Sequence, residues 1–503
     1  MATSLLAASG CAISDSGGDD TAAASETQAA QAVTLNDRIT ACNNDPRVAV
    51  GKLSADTCVG ADLFFRETFN GNGRSCGTCH RVDHNMVMDA QFMTSLGAND
   101  PLFIAEFNPT LSQLEVPTMM RQFGLILENV DGFAPDPRSN FVLRAVPHTL
   151  SMSTSIATPA GAPNPPANRT GWGGDGAPGN GALRDFQTGA ITQHYTKSLS
   201  RTVGTDFRLA TDTELDKIDT FMRQLGRTNE LDLNTVTIAD ANAEAGRQRF
   251  LTVGCNACHG NAGANATFAT GGNRNFNTGV ESMRNSTLAG FPHDGGFGTA
   301  AQASGAFGDG TFNAPPLIEA ADTGPFFHTM TTVTGASAHN VDVATTIEEA
   351  VAFYDSQGFA NSPSGQVAPI NMTAQEIDNI ARFLRVLNAT FNVAQALKRL
   401  DAAQAVTTRF GDQTGTTNSQ FQLMRLAALD IQDAINDLTP VGLFPTQVTS
   451  LNQAFTTLRN GLSATTASAR LTAETSAAQT AAAAAAAMGT NMNYQIGDGT
   501  VAF

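Results

Sequence analysis

Two short runs hold most of the chemistry available to this chain: Cys76-Gly77-Thr78-Cys79-His80 and Cys255-Asn256-Ala257-Cys258-His259. Two thiols separated by two residues can add across the vinyl groups of a haem as thioethers. The His that follows can present its imidazole to the iron. Both runs therefore read as c-type haem attachment sites, with Cys76, Cys79, Cys255 and Cys258 bonded to cofactor and His80 and His259 as iron ligands. Zinc is the competing chemistry for Cys pairs. A zinc ribbon brings its pairs within about 15–20 residues of each other, whereas these lie in opposite halves of the chain.

Elements that could position the two runs recur around each of them. Thr211-x-x-Glu214 and Thr373-x-x-Glu376 are capping boxes. Each opens a segment with apolar residues at helical spacing: Leu215, Ile218, Met222 and Leu225 in one, Ile377, Ile380, Leu384 and Leu387 in the other. A helical stretch also precedes each run, over Gly60–Thr68 and Ala243–Thr252. Helix, haem run, long loop and closing helix is the order of a cytochrome c domain. The expected fold class is mostly α, with two cytochrome c-like haem domains with long loops (36–235 and 236–395) and a C-terminal helical extension (396–503). In the extension, Val393–Leu400, Phe421–Leu438 and Val448–Leu462 read as amphipathic helices, Pro440 and Pro445 as breaks, and the Ala481–Ala487 end as disordered. The extension is either a packing appendage or an interaction segment.

Composition narrows the setting. A chain of 503 residues has room for two or three domains. A net charge of -17 without a basic cluster argues against nucleic acid and against anionic membrane surfaces. Covalent haem implies assembly in an exporting, oxidising compartment, where disulfides persist. Cys42 and Cys58 are expected to pair there, the alternative being two separate buried thiols. Cys11 ends a Leu5–Gly10 stretch that resembles a lipoprotein signal, with Ser14–Ala32 as a flexible tether, so residues 1–35 read as signal and tether; otherwise Cys11 is incidental. No apolar run is long enough to span a membrane.

Beyond the two runs, the chain from Leu53 to Asn392 resembles the bacterial di-haem cytochrome c peroxidase family, which includes the di-haem enzymes that mature methylamine dehydrogenase. The likeness rests on Asp62-Leu-Phe-Phe65 leading to Asn72–His80, on Arg144-Ala-Val-Pro147, and on Trp172-Gly-Gly-Asp175-Gly176. It continues in Phe276–Val280, Phe312–Leu317, Pro325-Phe-Phe-His328 and Ile347–Tyr354. The resemblance implies peroxide reduction at the N-terminal haem, with electrons relayed by the C-terminal haem from a small periplasmic donor of the cytochrome c or cupredoxin type. It implies Trp172 as the bridge between haems, or else as packing on a porphyrin edge. It implies Tyr354 as sixth ligand of the second haem, with His328 as a rival. The family's distal Glu has no counterpart in Thr188–Thr196. Gln193 and His194 stand there instead, with His194 as acid–base group, iron ligand or neither. His84 and Met86 are further possible ligands. Ala145 replaces an Asn of the family's calcium site, so calcium is expected only weakly. Two other functions stay open: electron transfer without a substrate pocket, and oxidation of a protein or organic substrate.

Overall fold

The computed structural model describes residues 33–129, 136–156, 182–267, 272–296, 310–329, 332–333, 339, 341–411 and 418–503. Cys11, the 1–32 tether and Trp172–Gly176 lie outside them. The fold is mostly helical, and its strands are short two-stranded pairs.

Thr211 and Thr373 form reciprocal capping boxes with Glu214 and Glu376, and they start helices Asp212–Arg223 and Ala374–Phe410. All eight apolar positions singled out are buried, seven in these helices and Leu225 just past the end of the first. Each helix crosses the one that precedes a Cys-x-x-Cys-His run. Ala55–Arg66 meets Asp212–Arg223 where a Cβ on Gly60 would lie 2.0 Å from the Lys217 carbonyl oxygen. Ala241–Val253 meets Ala374–Phe410 where a Cβ on Gly246 would lie 1.8 Å from the Asn379 carbonyl oxygen. Four residues beyond each glycine a Phe packs on a Phe four residues beyond its contact: Phe64 on Phe221 at 5.2 Å and 58°, and Phe250 on Phe383 at 5.7 Å and 60°. The two halves therefore repeat one packing unit, down to the glycine and the ring pair.

Two expectations for the C-terminal region need correcting. The boundary at 395/396 falls inside one continuous helix, Ala374–Phe410, because no Pro, Gly or cap interrupts it and buried residues continue through Val406. Ser419–Leu438, Pro445–Leu462 and Ala467–Met488 pack with that helix as a bundle. Pro445 opens its helix at the first turn, where a missing N–H costs nothing. The Ala-rich end is not disordered. Alanine is the best helix former, and Ala473, Ala477, Ala481, Ala484 and Met488 make one buried stripe. Thr490 and Gly489 then pair with Thr237 and Ile238. Further on, the Phe503 ring packs 5.0 Å from Phe65, and Arg47 donates to the Val501 carbonyl at 2.9 Å. This segment straps the bundle to the first half. Cys42 and Cys58 form a disulfide, as expected from the sequence.

The bundle also meets both halves through enclosed carboxyls. Asn392 donates to Asp322 at 2.7 Å and to Asp437 at 3.3 Å, Asn85 donates to Asp433 at 3.4 Å, and Arg399 donates to Asp430 at 2.6 Å. Burial pushes Asp322 up to about 6 and Asp430 up to about 7. Asp433 and Asp437 rise well above the usual range, through burial and then mutual repulsion.

Two outcomes follow. Gly60→Ala or Gly246→Ala forces a Cβ into a carbonyl and is expected to lower stability by about 2–3 kcal/mol in denaturant unfolding. The raised carboxyls stay protonated in the folded chain while their unfolded counterparts ionise near 3.8. Their contribution is therefore complete below that pH and lost as pH rises through about 6 to 7. Denaturation midpoints should fall across that window, and Asp437→Asn should flatten the fall.

Candidate functional site

Each Cys-x-x-Cys-His run makes a single helical turn, Cys76–Cys79 and Cys255–Cys258, and all four thiols are free. Arg74 anchors the first turn. It is almost wholly buried, pairs with Glu115 at 2.7 Å and donates to the Pro101 carbonyl at 3.1 Å. Burial pushes the Cys76 and Cys258 thiols up to about 11 and Cys79 and Cys255 up to about 12, so all four stay protonated at neutral pH.

The two imidazoles are held alike. His80 Nδ1 donates to the Met86 carbonyl at 3.0 Å, and His259 Nδ1 donates to the Pro315 carbonyl at 2.9 Å. This fixes the tautomer and leaves Nε2 as the available ligand atom. Burial pushes both down to about 4, so each is the neutral ring that a metal requires. Met86 thus contributes its carbonyl, and His84 is engaged by Asp89 at 3.0 Å and stacked on Phe92.

A largely apolar cavity of about 380 Å³ opens beside the second run. Cys255, Cys258, His259 and Tyr354 line it together, with Phe250, Phe276, Phe326, Phe359, Ile380 and Leu384 among its apolar walls. It extends into the first half, where Val87, Ile126, Glu128, Val146 and His148 line it. Ile126 and Val146 belong to the apolar cluster on which Cys79 packs. Paired thiols, a neutral imidazole with Nε2 available and an apolar cavity against them are the features a haem c site needs, so the residues of the second run fit that group; the first run offers the same thiols and imidazole, with Cys79 against an apolar cluster. Among the described residues no cluster of three or more His, Cys, Asp or Glu side chains is arranged to hold a metal ion. A haem run supplies only one protein ligand and needs no such cluster.

The remaining sequence candidates divide between this cavity and its surroundings. Tyr354 caps the Ile347–Phe353 helix inside the cavity, packed at 5.2 Å against both Phe353 and Phe359. Burial pushes its phenol up. His328 lines the cavity too, with Nε2 bonded to Glu281 at 2.8 Å. Ala145 donates its N–H to the His328 carbonyl at 2.8 Å, tying the halves together.

Gln193 and His194 end the Leu183–His194 helix, beside the first run: the next residue, Tyr195, donates from Oη to Cys76 Sγ at 3.1 Å. Gln193 braces the Leu125–Asn129 strand, donating to the Leu127 carbonyl at 3.0 Å and accepting from the Asn129 N–H at 2.9 Å. His194 Nε2 meets Glu128 Oε1 at 3.2 Å, and His194 Nδ1 lies 3.9 Å from Glu115. A carboxylate therefore does stand beside His194. Sequence reasoning missed it because Glu128 comes from a distant strand. His148 was also missed, although it directly follows the Arg144–Pro147 run. Its Nδ1 is buried without a hydrogen-bond partner, and it lies close enough to His80 to oppose protonation there.

No protein-family model, curated protein or solved structure matches the chain. Among the described residues no helix is long and apolar enough to cross a membrane.

Proposed function

We propose that the chain is a di-haem c-type oxidoreductase of the bacterial cytochrome c peroxidase class. In this reading it reduces hydrogen peroxide with electrons that enter at the second haem from a small periplasmic donor and pass to the first. One observation carries the reading. Two matched packing units each hold a neutral imidazole tied at Nδ1 beside a Cys pair, and the second borders a cavity whose wall, on the side of the first half, includes Glu128. The shared helix crossings and ring pairs support two cytochrome c-like modules, and the Cys42–Cys58 disulfide supports export.

When bound, the haems supply electron storage and the metal that takes the peroxide. The chain supplies proton handling. Cleaving an O–O bond requires one oxygen to lose a proton and the other to gain one. Glu128 and His194, in hydrogen-bond contact, can hold that proton and return it. Gln193 keeps the Glu128 carboxylate in place with a 2.7 Å bond. Tyr354, which lines the same cavity as His259, would be the sixth ligand of the second haem.

A second reading, electron transfer without substrate, is favoured by one observation: the unpartnered His148 Nδ1 near His80. A ligating His148 would close the first haem.

Turnover and spectra of the haem-loaded protein separate these. Glu128→Gln and His194→Ala are expected to slow peroxide turnover by about 10²–10⁴-fold with an unchanged ferric spectrum. Negligible turnover in the parent, together with a shift to five-coordinate iron in His148→Ala, would establish the second reading instead. Tyr354→Phe is expected to change the spectrum of the second haem alone; an unchanged spectrum would reduce Tyr354 to a packing residue.

A further inference from the structure

We propose that His328, Glu281 and His293 form a proton relay between the shared cavity and solvent; its use in peroxide reduction rests on the function proposed above. His328 lines the cavity, its ring stacked 3.9 Å from Phe312 at 22°. Its Nε2 meets Glu281 Oε1 at 2.8 Å. The other oxygen of the same carboxylate, Glu281 Oε2, meets His293 Nδ1 at 3.2 Å. The His293 side chain is 57% exposed, against 16% for His328 and 20% for Glu281. Three titratable groups therefore stand in file, each within hydrogen-bond reach of the next, from an apolar cavity to water.

The surrounding charges suit such a file. Asp294 lies 3.9 Å from His328 Nε2, too far to compete for its proton. Burial acts to raise the Asp294 carboxyl, but Arg144, which holds both its oxygens, outweighs this and keeps it below the usual range. Arg284 faces the same two acids, Glu281 and Asp294. Two cations thus balance two carboxylates. Reduction of one peroxide to two waters consumes two electrons and two protons. The electrons come from the donor and the protons from bulk water. Glu281 takes a proton at Oε2 from His293, which regains one from water, and the carboxyl group turns to pass that proton to His328 Nε2. His328 releases one from Nδ1, the ring nitrogen that Glu281 does not hold.

The test uses the full haem-loaded chain, reduced by a flash-generated electron donor in weakly buffered solution with a pH-indicator dye and no peroxide present. The parent is expected to take up protons as its haems are reduced. Glu281→Gln retains size and an acceptor for His328 but cannot pass a proton, and is expected to slow uptake about tenfold or more while leaving the spectrum intact. Added acetate, a small diffusible carboxylic acid, is expected to restore the rate. His293→Ala changes only the exposed end, so it decides the matter if Glu281→Gln fails to fold, and it too is expected to slow uptake. Parent-rate uptake in both variants, or no uptake in the parent, overturns the relay. Peroxide turnover is measured separately. Turnover with parent-rate uptake in both variants keeps the function and rejects the relay; slowed uptake without any turnover keeps the relay and rejects the function.

Discussion

The architecture depends on two close helix crossings. At Gly60 against Lys217, and at Gly246 against Asn379, a helix backbone approaches a carbonyl more closely than any side chain allows. That contact sets the angle between the helix that leads into each Cys-x-x-Cys-His turn and the helix that closes the unit. The ring pairs Phe64–Phe221 and Phe250–Phe383 lock the crossings one turn further on. Phe64 also lies 5.9 Å from the His80 ring, so the first crossing bears directly on the imidazole. Side-chain packing elsewhere can vary while these backbone contacts hold the two thiol–imidazole turns in matching positions.

Burial then does most of the electrostatic work. It keeps His80 and His259 neutral, while their Nδ1 bonds to Met86 and Pro315 orient the rings. Carboxylates are admitted near the cavity where they have partners. Glu115 is balanced by Arg74, and Glu128 is held by Gln193 and His194. Asp294 is balanced by Arg144. Between the bundle and the two halves the rule is relaxed. Asp322, Asp433 and Asp437 are satisfied chiefly by Asn amides, and burial favours their protonated forms. The docking of the bundle is therefore tuned by proton occupancy as well as by apolar contact.

Local signals were legible in the sequence. The two Cys-x-x-Cys-His turns, the Thr211 and Thr373 capping boxes and the Cys42–Cys58 pair each depend on a few neighbouring positions. So did the repeat, because helical apolar spacing survives duplication. What failed depended on context. The 395/396 boundary falls where nothing chemical stops the helix, and the bundle buries the next turns. The Ala-rich end reads as disordered because the value of alanine here lies in close approach to neighbouring helices. Glu128 and His148 could not be assigned, since the strand pairing and the cavity that bring them near the first run join distant segments. The His328–Glu281–His293 file has the same origin: its members fall in separate segments, and only the folded chain aligns them.

The central claim is that both Cys-x-x-Cys-His turns bind haem covalently. Its most direct test is the intact mass of the denatured protein after expression with a haem-attachment system. The predicted mass is the chain plus two haems, less any cleaved leader, with one haem lost in Cys76→Ala/Cys79→Ala and the other in Cys255→Ala/Cys258→Ala. A chain that retains no haem on denaturation, or the same single haem in both variants, would contradict the account.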